Sequence, residues 1–242
     1  HKYIYEKADK VLCVSPDILN DMRQLEGLKR EDVEITYNPV NVSRINEVRE
    51  SPKQIRSKYN LSPNSFVFGI ISRFETFKGH KFLFKAFAEF LEIYPNAILF
   101  VVGGGPLKKD FVKQINSLGI SEKVIMPGMV NNVGDYLRVF DVFLHPSLKE
   151  PFGISIIEAM YTGLPVVSTS VGGPLNYIND GDSGLLVSPR DAKALLDAMI
   201  KLYEDKEMRE QIGLQAKKVV ELRFLPKAYS KAIIGIYKAL LE

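Results

Sequence analysis

From residue 65 onward, apolar and polar stretches alternate along the chain in a regular order. Residues 66–71 form a continuous apolar run, which predicts a strand buried on both faces. Phe82, Leu83, Phe87, Phe90 and Leu91 recur at helical spacing and predict a helix over 80–94. The same reading gives a strand at 97–102, a helix at 106–118, a short strand at 124–126 and a helix at 133–140. A strand at 141–145 then runs into a helix that contains Glu158. A strand at 164–169, a short helix at 174–179 and a final strand at 184–187 follow. Asp191 caps an amphipathic helix carrying Ala194, Leu195, Ala198, Met199 and Leu202. Strands alternating with helices over this length imply a parallel sheet with helices on both faces, a Rossmann-like α/β domain.

The first sixty residues are patterned differently. Residues 2–10 read as the end of a helix and 11–14 as a short strand. Ser15-Pro16-Asp17 opens a helix toward Gly27, with a capping serine and a proline at the first helical position. A strand at 33–37 ends in the breaker cluster Asn38-Pro39-Val40-Asn41, and a boundary is expected near 38–45. Ser51-Pro52 starts a further helix over 51–60. At the other end, Ala228, Ala232, Ile233, Ile236, Tyr237 and Leu240 mark one stripe of a helix over 226–242.

Composition narrows the classes of function. The 242 residues are 46% hydrophobic and 25% charged with a net charge of +3, an ordinary globular balance that is too mild for nucleic acid as the main partner. The single cysteine, Cys13, excludes an internal disulfide and a cysteine-based metal cluster, and its apolar setting predicts an inert buried thiol. His1, His80 and His145 lack metal-ligand spacing. No apolar run reaches the roughly 18 residues of a membrane span, and no signal peptide is visible. Starting at His1, the chain reads as processed or as part of something longer.

The chemistry collects in residues 145–160. Glu158 sits in the middle of a helix that is otherwise apolar (Ile154, Ile156, Ile157, Ala159, Met160), where an unpaired carboxylate is costly. It requires either a cation or a polar ligand. Glu150 lies eight residues earlier, on a loop at the carboxyl end of a strand, where open α/β sheets bind ligands. A solvated charge or a structural ion pair is the alternative for each. In a parallel sheet the strand-to-helix loops share one edge. The loop 72–79 offers Arg73 and Lys78, and a cation just before a helix opposes the helix dipole unless an anion binds there. Gly103-Gly104-Gly105-Pro106 and Ser170-Val171-Gly172-Gly173-Pro174 let backbone amides approach a phosphate. Lys108 stands where a dinucleotide fingerprint needs its third glycine, so hydride transfer is set aside. Two cations, flexible loops and two carboxylates on one edge describe a site for a nucleoside diphosphate with sugar hydroxyls.

The run E-P-F-G-x-S-x-x-E-A-M, with Glu150 and Glu158 as its two glutamates, resembles the signature of the retaining glycosyltransferases of the GT-B fold in the large family four. Ser72-Arg73 with Lys78-Gly79, Gly103-x-Gly105-Pro106, Pro127-Gly128-Met129-Val130, Val171-Gly172-Gly173-Pro174 and Asp182-x-Gly184-Leu185-Leu186-Val187 agree in order and spacing. The likeness spans nearly all of residues 8–225. It implies the donor-binding half of such an enzyme: Arg73, Lys78 and the backbone at Gly153 and Ile154 on the diphosphate, with Phe152 counted among the donor-binding residues. It further implies Glu158 on the ribose, Glu150 at the transferred sugar, and the backbone around Val130 at the base. Arg73, Lys78 and Glu150 would carry catalysis by charge stabilisation and positioning, on a UDP- or GDP-linked hexose, with configuration retained and no metal or other cofactor. By the same resemblance residues 1–40 are a remnant of an acceptor-binding domain plus linker and 41–225 the nucleotide-sugar-binding domain. Residues 226–242 form a helix that packs back on that acceptor domain. The chain alone would then bind a donor without transferring it, and its exposed terminal stripe would favour self-association unless a further N-terminal domain covers it. The acceptor is unassigned, and a cytoplasmic location, peripheral to a membrane through the other half, is expected. A sugar-nucleotide epimerase or a phosphorylase would share the fold, but the E-P-F-G frame argues against both. A nucleotide-binding or scaffolding module without transfer activity is the reading from another class.

Overall fold

The computed structural model describes residues 2–241. The chain opens with α1 (Lys2–Lys7), β1 (Val11–Cys13), α2 (Pro16–Leu25) and β2 (Val33–Ile35), then two short helices, α3 (Val42–Asn46) and α4 (Pro52–Lys58). The alternating region follows: β3 (Phe66–Ile71), α5 (His80–Ile93), β4 (Ala97–Val102), α6 (Lys108–Ser117), β5 (Val124–Gly128) and α7 (Val133–Leu137). It continues through β6 (Val142–His145), α8 (Ile154–Tyr161), β7 (Val166–Thr169), β8 (Leu185–Val187) and α9 (Ala192–Glu204). The helices α10 (Lys206–Arg223) and α11 (Pro226–Leu241) close the chain.

Local chemistry sets the helix starts. Ser15 Oγ accepts from the Ile18 N–H, Asp191 from Ala194 and Asp205 from Met208. Ser51 and Gln54 form a reciprocal capping box at α4.

Six strands pair in parallel in the order β5-β4-β3-β6-β7-β8. Counted from β3, this is the 3-2-1-4-5-6 order of a Rossmann sheet, so strand order reverses between β3 and β6. Alternate residues of β3 and β4 feed opposite cores. Phe68, Ile70, Leu99 and Val101 pack with α5, α6 and α9, whereas Val67, Ile98, Phe100 and Val102 pack with α7, α8 and α10. The expected α/β class, with helices on both faces, is what the structure has.

Four details differ from the pattern reading. α10 was not anticipated, nor was α3. β5 runs on through Pro127 to Gly128, which an edge strand tolerates because a proline there forfeits no interior ladder bond. The expected helix at 174–179 is a 3₁₀ turn, Gly173–Asn176.

β1 and β2 form a separate two-stranded parallel sheet with its own small core of Val11, Cys13, Met22 and Leu28. Cys13 is buried with Sγ 3.2 Å from Met22 Sδ, and burial pushes its thiol up, away from the reactive thiolate. The chain after β2 returns to the larger domain: the Val40 N–H donates to the Phe224 carbonyl at 2.8 Å, and Ile45 and Ile55 are fully buried. On α11, Ile236 is buried and Ile233 half-buried, while Ala228, Ala232, Tyr237 and Leu240 are exposed. Among the described residues no helix is long and apolar enough to cross a membrane.

Candidate functional site

Where strand order reverses, the loops leaving β3 and β6 part in opposite directions and open a crevice at the carboxyl edge. A cavity of about 710 Å³ occupies it. Ser72, Arg73, Phe77 and Lys78 come from the loop after β3, Gly103 and Gly104 from that after β4, and Met129 from that after β5. Residues 149–155 and Glu158 come from the segment after β6. Val14, Asn38 and Arg44 close it from the side of the first forty-odd residues.

The loops touch so closely that glycine is required. A Cβ on Gly103 would lie 1.9 Å from the Ser72 carbonyl oxygen, and one on Gly172 would lie 2.1 Å from that of Glu150. Gly172 also has φ +59°. Gly172→Ala is therefore expected to push back the Glu150 backbone and to lower stability by about 1–3 kcal/mol, as measured by urea unfolding.

Glu150 is the centre of a buried polar network. Its Oε2 accepts from Lys78 Nζ at 2.5 Å and lies 2.6 Å from His145 Nε2, with Ser147 Oγ at 3.5 Å. The side chains of Lys78 and Glu150 are only 12% and 7% exposed. Burial alone would raise the Glu150 pKa, but the hydrogen bond from His145 and the Lys78 ammonium outweigh it and bring the carboxyl down to about 2. Burial holds His145 in its neutral form. Glu150 itself thus supplies an anion beside Lys78. The structural-pair alternative describes Glu150 in this state, while its Oε1 accepts no hydrogen bond from the described residues and is not sealed from solvent.

Arg73 stands at the rim, 70% exposed, with Nη1 2.8 Å from Glu75 Oε1. Both cations pack over the Phe77 ring, with the Arg73 guanidinium at 5.6 Å and the Lys78 ammonium at 5.3 Å. Phe77 is the middle residue of a short 3₁₀ turn, Thr76–Lys78, that delivers Lys78 to the crevice. At its far end the His80 ring, kept neutral by burial with its pKa brought down to about 3, pairs Nε2 with Ser72 Oγ at 3.0 Å.

α8 presents the second charged feature. Gly153, at φ +89°, begins the helix with no capping side chain, so its first N–H groups lack a side-chain acceptor. One turn in, Glu158 is buried, lines the cavity and has no hydrogen bond or ion pair among the described residues. Burial raises its pKa above the usual glutamate range, and Arg44 offsets this only in part. Ile154 is half-exposed at the cavity mouth, so the helix is not buried all round.

Of the residues singled out from sequence, Arg73, Lys78, Glu150, Phe152, Gly153, Ile154 and Glu158 all line this cavity. Val130 does not; it packs against the core, and Met129, 86% exposed, takes the cavity wall. Phe152 is largely a floor residue, stacked on Tyr37 at 6.0 Å and edge-on to Phe224 and Tyr177. Asn38, Arg44, Phe77 and the Glu150 partner His145 were not assigned from sequence. None belongs to a periodic or spaced pattern, and each reaches the site by tertiary folding. Among the described residues no three His, Cys, Asp or Glu side chains cluster as a metal site would.

The six-stranded Rossmann sheet, with two cations, two acids and an uncapped helix start gathered in the crevice at its reversal point, defines the class of α/β domain to which this chain belongs. Residues 51–219 match the family described as glycosyl transferases group 1, and the chain belongs to that family. The fold is that of the C-terminal domain of a GT-B glycosyltransferase. A crystal structure of Anabaena HepE in complex with UDP and glucose superposes with a TM-score of 0.88 at 26% identity, covering 96% of this chain and 64% of that one. N-acetyl-alpha-D-glucosaminyl L-malate synthase of Bacillus anthracis is 29% identical over 97% of this chain and 60% of its own length. A lipopolysaccharide core biosynthesis glycosyltransferase of Rhizobium meliloti is 26% identical over 98% and 66%. The chain therefore spans under two thirds of the length of these curated relatives.

Proposed function

We propose that this chain binds the nucleoside diphosphate of an activated sugar in the crevice between β3 and β6, as the donor half of a retaining glycosyltransferase. The observation that carries the reading is Glu158: a buried, unpaired carboxylate on the wall of an open cavity, one turn from an uncapped helix start. A ribose diol satisfies the acid, and a phosphate satisfies the helix. Arg73 and Lys78 complete the diphosphate cradle, and leaving-group charge is neutralised by these side chains with no metal. Lys78 then exchanges its carboxylate partner for a phosphate oxygen, which leaves Glu150 Oε1 to accept from a sugar hydroxyl; its part is orientation. The UDP in the HepE complex supports a uridine donor, with the base near Met129 and Val130. The chain spans under two thirds of the length of its relatives, and these residues alone are expected to bind donor and to transfer nothing to an acceptor.

Arg73→Ala tests the cradle. It is expected to weaken UDP about tenfold, near the lower end for a charge-assisted hydrogen bond because the side chain is exposed, while uridine affinity stays unchanged. Calorimetry of both ligands on both proteins decides; equal losses would make the loop structural. The second reading, the scaffolding form of a module without transfer activity, draws on the carboxylate partners that Arg73 and Lys78 already have. Wild-type protein that binds neither UDP nor GDP would select it.

A further inference from the structure

We propose that His145 is the positioning residue of the site: its Nε2–H holds Glu150 by one carboxylate oxygen and keeps the other available to the ligand. His145 ends β6, and its ring is wholly buried, stacked 6.3 Å from Phe143. Nε2 lies 2.6 Å from Glu150 Oε2 and 2.9 Å from Ser147 Oγ, while Nδ1 is buried with no partner among the described residues. A neutral imidazole carries one N–H. A bare Nε2 lone pair against a carboxylate oxygen would be repulsive, so the proton sits on Nε2 and the unused lone pair on Nδ1. The anchor is itself fixed, because Thr169 Oγ1 donates to the Ser147 carbonyl and so ties β7 to this turn.

The arrangement matters because Lys78 has two claims on it, an inference that rests on the donor-binding reading above. Oε2 of Glu150 receives every donor recorded for that side chain, and Oε1 receives none. When a diphosphate draws the Lys78 ammonium away, Glu150 becomes a buried carboxylate without a cation. Lys78 rides on a loop that must respond to ligand, whereas His145 belongs to a central strand and stays in place. Its N–H then keeps Oε2 anchored and Oε1 directed to the same sugar hydroxyl.

Three measurements on the intact chain test this. Nitrogen-15 spectra of the ligand-free wild type should report the Nε2–H tautomer of His145; the Nδ1–H tautomer would overturn the proposal. Carbon-13 titration of the Glu150 carboxyl should show its midpoint rising by about one unit or more in His145→Leu, and by much less in His145→Gln, whose amide nitrogen can reach the same oxygen. Equal midpoints in wild type and His145→Leu would overturn it as well, whatever the ligands do. Finally, the affinity ratio of UDP-glucose to UDP, and of GDP-mannose to GDP, should fall about tenfold in His145→Leu and be restored in His145→Gln, the loss of one charge-assisted hydrogen bond. A general loss of structure would instead weaken nucleotide and sugar nucleotide alike. Wild type that binds sugar nucleotides no better than nucleotides would sink the donor reading, and the spectra would still decide the role of His145.

Discussion

Glu158→Gln is expected to give a protein that is more stable at neutral pH and binds UDP or GDP about 10–100-fold more weakly, the loss of charge-assisted hydrogen bonds worth about 1.5–3 kcal/mol each. Glu158 is buried with no hydrogen bond or ion pair among the described residues, and Arg44 only tempers the cost. Its pKa in the folded chain is raised above the ordinary 4.5. Such a group favours the fold fully below its unfolded value, and that contribution is lost as pH rises through the folded pKa. Wild type should therefore lose stability on the alkaline side of pH 4.5, and the glutamine variant should lose less. Urea unfolding between pH 4 and 8, beside calorimetry with both nucleotides, measures the two effects. A variant that binds both nucleotides as wild type does would remove the ribose role.

Lys78→Ala should lose both stability and diphosphate binding, and adding Glu150→Gln should recover only the stability. Removing one member of a buried ion pair strands the other, a loss of about 3 kcal/mol, and glutamine removes the stranded charge. Phosphate affinity does not return, since no cation has been restored. Glu150 also sets an acid limit. Its folded pKa, about 2, lies below the ordinary 4.5, so its contribution is complete above the ordinary value and fades as pH falls toward the folded one. Lys78→Ala should narrow that window. Thermal unfolding from pH 2 to 7 on the single and double variants checks this, and unchanged stability in Lys78→Ala would mean the pair is neutral in the fold.

The alternating strands and helices were legible because each buries a wide apolar face with a clear period. α10 was not, and its buried face explains why. That face includes Gly213 and Ala216, and a Cβ on Gly213 would lie 2.1 Å from the Gly163 carbonyl oxygen. Close backbone contact on the turn after α8 replaces bulky side chains at these two positions, so the stripe of Ile212, Ala216 and Val220 is narrow and weak in the sequence. α3 is five residues long, too short for any period. In the site, Glu158 was legible as an acid in the wrong surroundings, and the cations as a loop pair. The Lys78–Glu150 bond joins residues 72 apart in sequence, and only the sheet order brings their loops together. Met129, not its neighbour Val130, lines the cavity, and which of two adjacent loop residues turns outward depends on backbone detail around Gly128, at φ +84°.

Phe152 shares its aromatic floor with Tyr37, Tyr177 and Phe224, and the Phe224 carbonyl also receives the Val40 N–H. The segment just before α11 is thus a foundation for the loop that carries Glu150, although more than seventy positions separate them in the chain. Trimming the chain back to Arg223 would withdraw that support. Amide exchange should then quicken first around Glu150 to Gly153 and in the strap near Val40, while the central strands remain protected.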